Sequence, residues 1–357
     1  VMVAHGASDL FLSAGTPAAV KVQGVVMRLA EADLSPAATQ QLAYSVMREA
    51  QIKRFEATME CDFAIAMEGL GRFRVNVYRQ RGDVAVVVRH ISGKIPSIEA
   101  LGLPPVVKSL AQLKRGLVLV VGAAGSGKST TLASMIDHRN HTVGGHILTV
   151  EDPMEFEHAH ARAIVDQREV GLDTQSFDEA LRHAMREAPD VIMIGEIRDR
   201  ETMQHAMAYA ETGHLCLSTL HANNANQAIQ RILNFYPETA HKQVLMDLSL
   251  NLKAVVGQRL IRGTAGKLVP AVEVMLLSPY IADLIQKGQT DDIKDAMAKS
   301  TEQGMLTFDQ SLYTLYQQGA ITAEQAVEFA DSRTDLSLRI RLHTGQRPDT
   351  SSLQIKP

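Results

Sequence analysis

The chain of 357 residues has no tryptophan, two cysteines and an aromatic content of 4%. Cys61 and Cys216 are far apart and belong to no C-x-x-C pair. That argues against a cysteine zinc site and a disulfide-stapled secreted fold, and it fits a reducing, cytosolic compartment. No apolar run approaches the roughly 18 residues that cross a bilayer, and no secretory signal is visible. Membrane association is therefore expected through a partner, without insertion. Basic charge is not in excess either: the formal net charge is −4, so no general field draws the chain to nucleic acid. Repeats and low-complexity tracts are missing. What remains, 45% hydrophobic and 21% charged, is the balance of a soluble globular protein with room for two domains. The chain opens on Val1-Met-Val-Ala with no initiator Met. This reads as the tail of a helix, and the natural start is expected upstream.

What is present centres on Gly122-Ala-Ala-Gly-Ser-Gly-Lys-Ser129, which fits G-x-x-x-x-G-K-[ST], the phosphate-binding loop of nucleotide triphosphatases. The apolar run Leu117–Val121 before it reads as a buried strand, and Thr130–Ile136 after it as the start of a helix. In such a loop Gly122, Gly125 and Gly127 let backbone N–H groups approach phosphate oxygens. Ser126, Thr130 and the helix N-terminus complete the cradle. Lys128 would reach the β- and γ-phosphates, and the Ser129 hydroxyl would ligate Mg²⁺.

The first ninety-odd residues pattern differently. Asp9–Leu12, Ala19–Val22, Cys61–Met67, Arg72–Tyr78 and Val84–Ile91 read as strands, and one helix is expected over residues 37–55. This predicts a small α+β domain over 1–95. Arg72, Arg74, Arg79, Arg81 and Arg89 crowd one part of it. They read either as a solvated sheet face with surface ion pairs or as arginines offered to a phosphate on a neighbouring subunit. Sequence spacing does not separate the two. A Gly/Pro-punctuated linker is expected over 96–110, as a hinge of limited freedom.

Residues 111–277 alternate strands with helices, which predicts a largely parallel sheet. In such sheets ligands bind at the carboxyl ends of strands. The strand Val191–Ile194 ends in Gly195-Glu196, with Glu196 placed like the acid that holds Mg²⁺. The strand His146–Val150 ends in Glu151-Asp152-Pro-Met-Glu155, whose acids would orient or deprotonate the attacking water. The strand Leu215–Leu220 ends in His221, a candidate γ-phosphate sensor. His214 precedes that strand, and at ~3.3 Å per residue it stands about 20 Å from His221. It is expected on another wall of the cleft or at a neighbouring subunit, or else as a plain structural histidine. A capping box at Ser176–Glu179 opens a helix with Leu181, Ala184, Met185 and Ala188 on one stripe, and Asp199 caps another. A longer helix is expected from Pro237 to Leu260. Helices opened by Ser278-Pro279, Thr307 and Thr322 form a helical region over 278–345, and residues 346–357 read as a disordered tail. The histidines at 138, 141, 158 and 160 have no accompanying ligand pattern and read as surface residues.

The order of Walker A, then Thr149-Val-Glu-Asp-Pro-Met-Glu-Phe156, then Ala188-Pro-Asp-Val-Ile-Met-Ile-Gly-Glu-Ile-Arg-Asp199, then Thr212-Gly-His-Leu-Cys-Leu-Ser-Thr-Leu-His-Ala222 resembles the secretion ATPase family. A Glu at the Walker B position is normal there. Gly6–Phe11, Gly71–Asn76 and Arg115–Val120 match as well, so the resemblance runs from about residue 6 to 345. Within the family the chain is similar to the retraction ATPases of type IV pili, because the four-cysteine zinc insertion usual in pilus-extension and type II secretion members is missing. It is more similar to the accessory retraction ATPase than to the principal one. Where the principal type carries A-I-R-N-L-I-R-E, this chain reads Tyr280-Ile-Ala-Asp-Leu-Ile-Gln-Lys287, with Ala282 and Gln286 in place of both arginines.

The resemblance implies a PAS-like N-terminal domain, a RecA-like P-loop ATPase domain of α/β class and a C-terminal helical appendage. It also implies a homo-hexamer on the cytoplasmic face of the inner membrane, partnered by the principal retraction ATPase and the inner-membrane pilus platform protein. It implies ATP and Mg²⁺ as ligands, Glu155 as the catalytic glutamate, Glu196 as the Walker B acid, and His214 and His221 as the His box. Arg74 and Arg89 are the arginines it implies at a neighbour's nucleotide. A motor for extension or secretion, and a non-catalytic coupling subunit, are the alternatives.

Overall fold

Period-two alternation builds the first sheet of the computed structural model, which describes residues 2–22, 24–91 and 93–344. Its strands are β1 (Asp9–Leu12), β2 (Ala19–Val22), β3 (Val25–Arg28), β4 (Glu60–Met67), β5 (Gly71–Gln80) and β6 (Asp83–Ile91). They are ordered β3-β2-β1-β6-β5-β4, and every neighbouring pair is antiparallel. On β5 the side chains of Phe73, Val75 and Val77 are buried, and Arg72, Arg74 and Asn76 take the opposite face. The buried face packs with Ala43 and Phe55, which come from α1 (Pro36–Ser45) and α2 (Glu49–Thr58).

Two expectations are corrected here. The single helix over 37–55 is two helices, because Arg48 is extended at φ −78 and ψ 157. Its N–H donates to the Gln51 side chain at 2.7 Å, starting a new N-terminus. Strand β3 was not expected at all: its four residues are exposed, and an edge strand wet on both faces shows no alternation.

This sheet belongs to one of two compact units. The first unit takes the chain up to Ile95 together with Asp152–Ala159 and Gln167–Ser176, and the second takes Pro96–Glu151, His160–Asp166 and the chain from Phe177.

In the second unit the early elements are α3 (Val106–Ala111), β7 (Gly116–Val121), α4 (Lys128–Thr142), β8 (Gly145–Glu151) and β9 (Ala163–Glu169), whose last residues pass to the first unit. Then come α5 (Phe177–Ala184), β10 (Val191–Ile194), α6 (Arg200–Glu211), β11 (Leu215–Leu220), α7 (Ala225–Leu233), α8 (His241–Asn251), β12 (Leu252–Arg262) and β13 (Leu268–Leu276). The sheet runs β13-β12-β7-β11-β10-β8-β9. Its central strands β12, β7, β11, β10 and β8 are parallel, and β13 is antiparallel to β12. All six residues of β7 and of β11 are buried, as expected of strands covered on both faces. The segment 96–110 joins this core directly, since Ile98, Leu103, Val107 and Leu110 are buried in it.

The helix expected from Pro237 to Leu260 is corrected: α8 ends at Asn251, and Leu252–Arg262 form β12. Both faces of this stretch mix apolar with polar residues, Gln258 and Arg262 on one and Lys253 and Arg259 on the other, so neither period stands out in the sequence. Strands β9 and β13 were likewise unforeseen. Helix α5 stops at Ala184, so Met185 falls outside it and is 43% exposed, and Ala188 turns at φ 51.

The chain ends in α9 (Pro279–Gln286), α10 (Ile293–Ala298), α11 (Phe308–Gln317), α12 (Ala323–Glu328) and α13 (Arg333–Thr344). Ser278 caps α9. Thr307 with Gln310, and Thr322 with Gln325, form full capping boxes on α11 and α12. Phe308, Leu312, Leu336 and Ile340 bury together with Ile261 and Ala271 of the β12–β13 hairpin. Residues 346–357, read as a disordered tail, lie outside the described residues. Among the described residues no helix is long and apolar enough to cross a membrane.

Candidate active site

The phosphate-loop sequence sits between buried β7 and the start of α4. Gly127 is the N-cap of α4 at φ 90 and ψ 18, a left-handed conformation that side chains other than glycine resist. A Cβ on Gly122 would lie 2.3 Å from Ser126 Oγ and 2.5 Å from the Gln258 carbonyl oxygen. Lys128 is 8% exposed, and its Nζ donates to the carbonyls of Gly122 at 3.0 Å and Ala123 at 2.9 Å. The buried Ser126 hydroxyl has no hydrogen-bond partner among the described residues. A nearly buried ammonium, an unsatisfied hydroxyl and a helix N-terminus over a loop too tight for side chains fit a phosphate group. Ser129 and Thr130 follow Lys128 in the first turn of α4.

Glu196 stands just beyond β10. The chain is fixed on both sides of it: Gly195 N–H donates to Val150 O at 2.8 Å and Ile197 N–H to Thr219 O at 2.9 Å. The Thr219 hydroxyl donates to Gly195 O at 2.7 Å. One carboxylate oxygen of Glu196 pairs with His221 Nε2 at 2.9 Å, and the other accepts from Arg198 Nε at 2.9 Å. His221 follows β11 and shares with Gly122 and Ala123 the lining of a cavity of about 370 Å³. The ends of β7, β10 and β11 therefore bring Lys128, Glu196 and His221 into one region. Glu151, at the end of β8, is buried and accepts from the Thr149 hydroxyl at 2.7 Å. His214 is at the other end of β11, where its Nδ1 lies 3.1 Å from Thr212 Oγ1 and 3.3 Å from Tyr209 O.

The remaining candidates lie in the first unit. Glu155 is exposed, within the segment Asp152–Ala159. Arg74 and Arg89 are directly opposed across β5 and β6. With Asp62, Asn76 and Val87 they line a cavity of about 360 Å³. Arg89 donates to Asp9 at 2.8 Å but keeps 64% of its side chain exposed. Burial alone would raise the Asp9 pKa; hydrogen bonds from Arg89 and Ser8 and the charges of Arg89 and Lys21 overcome this and hold it low. Arg79 instead pairs with Glu56 at 2.9 Å, the ordinary ion-pair role. His158, expected at the surface, is 7% exposed, and burial pushes its pKa down to about 4.

Three polar residues beside the site come from β12 and β13, neither of which was expected as a strand. Gln258 accepts from the Thr131 hydroxyl of α4 at 2.7 Å, and its Nε2 would lie 2.9 Å from a Cβ on Gly127. Arg259 reaches within 3.5 Å of the Asn223 carbonyl, two residues after His221. Glu273 of β13 accepts from Ala225 N–H, the first residue of α7, at 2.8 Å. A strand assignment would have exposed them, because polar residues in a buried strand demand partners.

Glu273 is almost fully buried, and burial raises its pKa to about 7, against the opposing Ala225 N–H and the Arg259 and Lys294 charges. Between the ordinary carboxylate value of 4.5 and that raised value, the folded chain holds a proton that the unfolded chain has released. Its contribution to stability therefore falls as pH rises through this window, by about 3 kcal/mol in all. Glu273→Gln keeps an oxygen for Ala225 N–H and removes the titration. Urea midpoints near pH 5 and near pH 8 are expected to drop less in this variant than in the parent. Parallel pH profiles would rule out the buried carboxyl as the cause.

A phosphate loop, an acid and a histidine at neighbouring ends of parallel strands define a P-loop nucleotide hydrolase. The sequence profile of the family described as "Type II/IV secretion system protein" matches residues 2–328, and the chain belongs to this family. It is 55% identical over 354 residues to the "Type IV pilus ATPase PilU" of Pseudomonas aeruginosa, covering 99% of this chain and 92% of that protein. It is 43% identical over 326 residues to the "Type IV pilus retractation ATPase PilT" of the same organism, covering 91% and 95%. The crystal structure of the pilus retraction motor PilT with bound ADP matches with a TM-score of 0.87 at 44% identity, covering 93% of this chain and 96% of that one.

Proposed function

We propose that this chain is an ATP-hydrolysing motor that powers type IV pilus retraction, of the accessory type represented by PilU. The observation that carries this is the Glu196–His221 pair at 2.9 Å beside an intact phosphate loop, in a chain 55% identical to PilU along nearly its whole length. Lys128 binds and neutralises the terminal phosphates. Backbone N–H groups from Gly125 to Thr130 hold the rest of the phosphate chain. Ser129 and Glu196 are the groups that would hold Mg²⁺, which when bound supplies charge neutralisation across the β- and γ-phosphates. Glu155 positions the attacking water and takes its proton. His221, tied to Glu196, relates the phosphate state to the acid. His214 serves away from this centre.

The six-stranded antiparallel sheet with two helices supports a PAS-like N-terminal domain, and the parallel sheet around the phosphate loop supports a RecA-like ATPase domain. The working form is a homo-hexamer, cytoplasmic and peripheral at the inner-membrane pilus machine. Its partners are the principal retraction ATPase and the platform protein. Arg74 and Arg89 complete a neighbour's site. Exposure supports the choice of Arg89, which is held at one end by Asp9 and open at the other. Arg89→Ala is expected to lower turnover by about 10²-fold or more. Mixed hexamers of Arg89→Ala and Lys128→Ala subunits are expected to regain part of it, since some interfaces then carry both wild-type halves. Full activity of Arg89→Ala alone, or no recovery on mixing, rejects the trans role.

ATP turnover by the isolated full chain, with Lys128→Ala as control, tests the enzyme. Loss of the gene product with pili retained and twitching lost tests the direction of work, whereas loss of pili would indicate an extension or secretion motor. The altered segment Tyr280–Lys287 supports a second reading, a non-catalytic subunit that couples the principal motor. Against it, Lys128, Glu155 and Glu196 are all present, and a scaffold needs none of them.

A further inference from the structure

Strand β12 has two working faces. Its even-numbered residues, Ala254, Val256 and Gln258, join the core around α4 and the phosphate loop. Its odd-numbered residues face the C-terminal helices: Phe308 Cζ would lie 3.0 Å from a Cβ on Gly257, and Ile261 is buried among those helices. Between them lies Arg259. Its guanidinium stacks on Phe308 with 3.8 Å to the ring centroid. It donates to Phe329 O at 2.5 Å and pairs with Asp331 Oδ1 at 2.5 Å. The same end group reaches the Asn223 carbonyl at 3.5 Å. Asp331 is fixed in turn, since its N–H donates to Asp309 Oδ1 at 2.8 Å. Lys294 lies 3.0 Å from Asp309 and 3.6 Å from Asp331. One arginine thus touches both the turn between α12 and α13 and the loop that carries His221.

We propose that Arg259 is a positioning residue for hydrolysis: it ties the α12–α13 turn to the loop 221–224, so that the C-terminal helices set the placement of His221 against Glu196. This rests on the reading of His221 and Glu196 as hydrolytic groups. The planar fork suits the task, because one group satisfies three acceptors from two segments. A lysine has the charge for Asp331 but not the reach to hold the other two at once.

The test is steady-state ATP hydrolysis by the full chain in five variants: His221→Ala, Arg259→Ala, the double variant, Arg259→Lys and Asp331→Asn. Arg259→Ala is expected to lower kcat about tenfold with KM for ATP changed less than about twofold, and Asp331→Asn about threefold. Arg259→Lys is expected to recover part of the loss. The double variant is expected to be no slower than His221→Ala alone, because Arg259 acts through that histidine. Multiplicative losses in the double variant, or an unchanged kcat in Arg259→Ala, overturn the proposal. If Arg259→Ala fails to fold, Asp331→Asn decides: a lowered kcat supports the coupling and an unchanged one overturns it. An unchanged kcat in His221→Ala overturns the reading of the hydrolytic site and the coupling with it. A slow His221→Ala beside a fast Arg259→Ala overturns the coupling alone.

Discussion

Lys128→Ala is expected to lower ATP turnover by about 10²- to 10³-fold or more while the chain stays folded. The side chain is nearly buried and donates to two loop carbonyls, Gly122 and Ala123. It is thus held within the loop by groups that a phosphate oxygen can replace as partners. A full positive charge at low exposure needs compensation, and an incoming phosphate adds to it. Alanine keeps the helix start, where it is the strongest helix former. It forfeits the hydrogen bonds to Gly122 O and Ala123 O but also removes a charge that is costly to bury, so the unfolding midpoint moves modestly while chemistry collapses. Turnover within about threefold of the parent would reject Lys128 as the phosphate-binding group.

Glu155→Ala is expected to separate binding from chemistry. ATP affinity stays within about threefold of the parent, and turnover falls by about 10²- to 10⁴-fold. The loop that holds phosphate is built from residues 122–130 and buttressed by Gln258, so loss of an exposed carboxylate elsewhere leaves it intact. Of the other acids considered for this role, the Glu196 carboxylate is engaged by His221 and Arg198 and Glu151 is buried; Asp152, in the same segment as Glu155, is the competing candidate. Nucleotide binding by fluorescence and turnover by phosphate release read the two quantities separately. Undiminished hydrolysis sinks the assignment, and a parallel loss of affinity shifts Glu155 from chemistry to binding.

The parts of this chain that were legible in sequence are those where one local rule dominates. Gly122–Ser129 has a fixed spacing. The Arg72–Tyr78 alternation survives because one face is wet and the other dry. The caps at Ser278, Thr307 and Thr322 are local hydrogen-bond solutions and appear as expected. The failures share a cause. Leu252–Arg262 is buried from both sides, one face by the phosphate-loop core and the other by the C-terminal helices, and each face carries both apolar and polar residues, so no period stands out. Strand β3 is exposed on both sides, and its period never arises. Missing β12 meant missing Gln258, Arg259 and, across the hairpin, Glu273. Their roles depend on neighbours 36 to 127 residues away in sequence, and no local pattern reports such distances.

The N-terminal unit is assembled from three stretches of chain, with Asp152–Ala159 and Gln167–Ser176 supplied long after Ile95. Those late pieces carry buried groups: Met154, His158 and Glu169 are 3%, 7% and 2% exposed. Glu169 feels the charges of Arg74 and Arg72 from β5. The unit is therefore not a detachable cassette. A graft of the first 95 residues onto a foreign engine would arrive without its own buried histidine and acid, and an engine stripped of them would keep both with nothing to cover them.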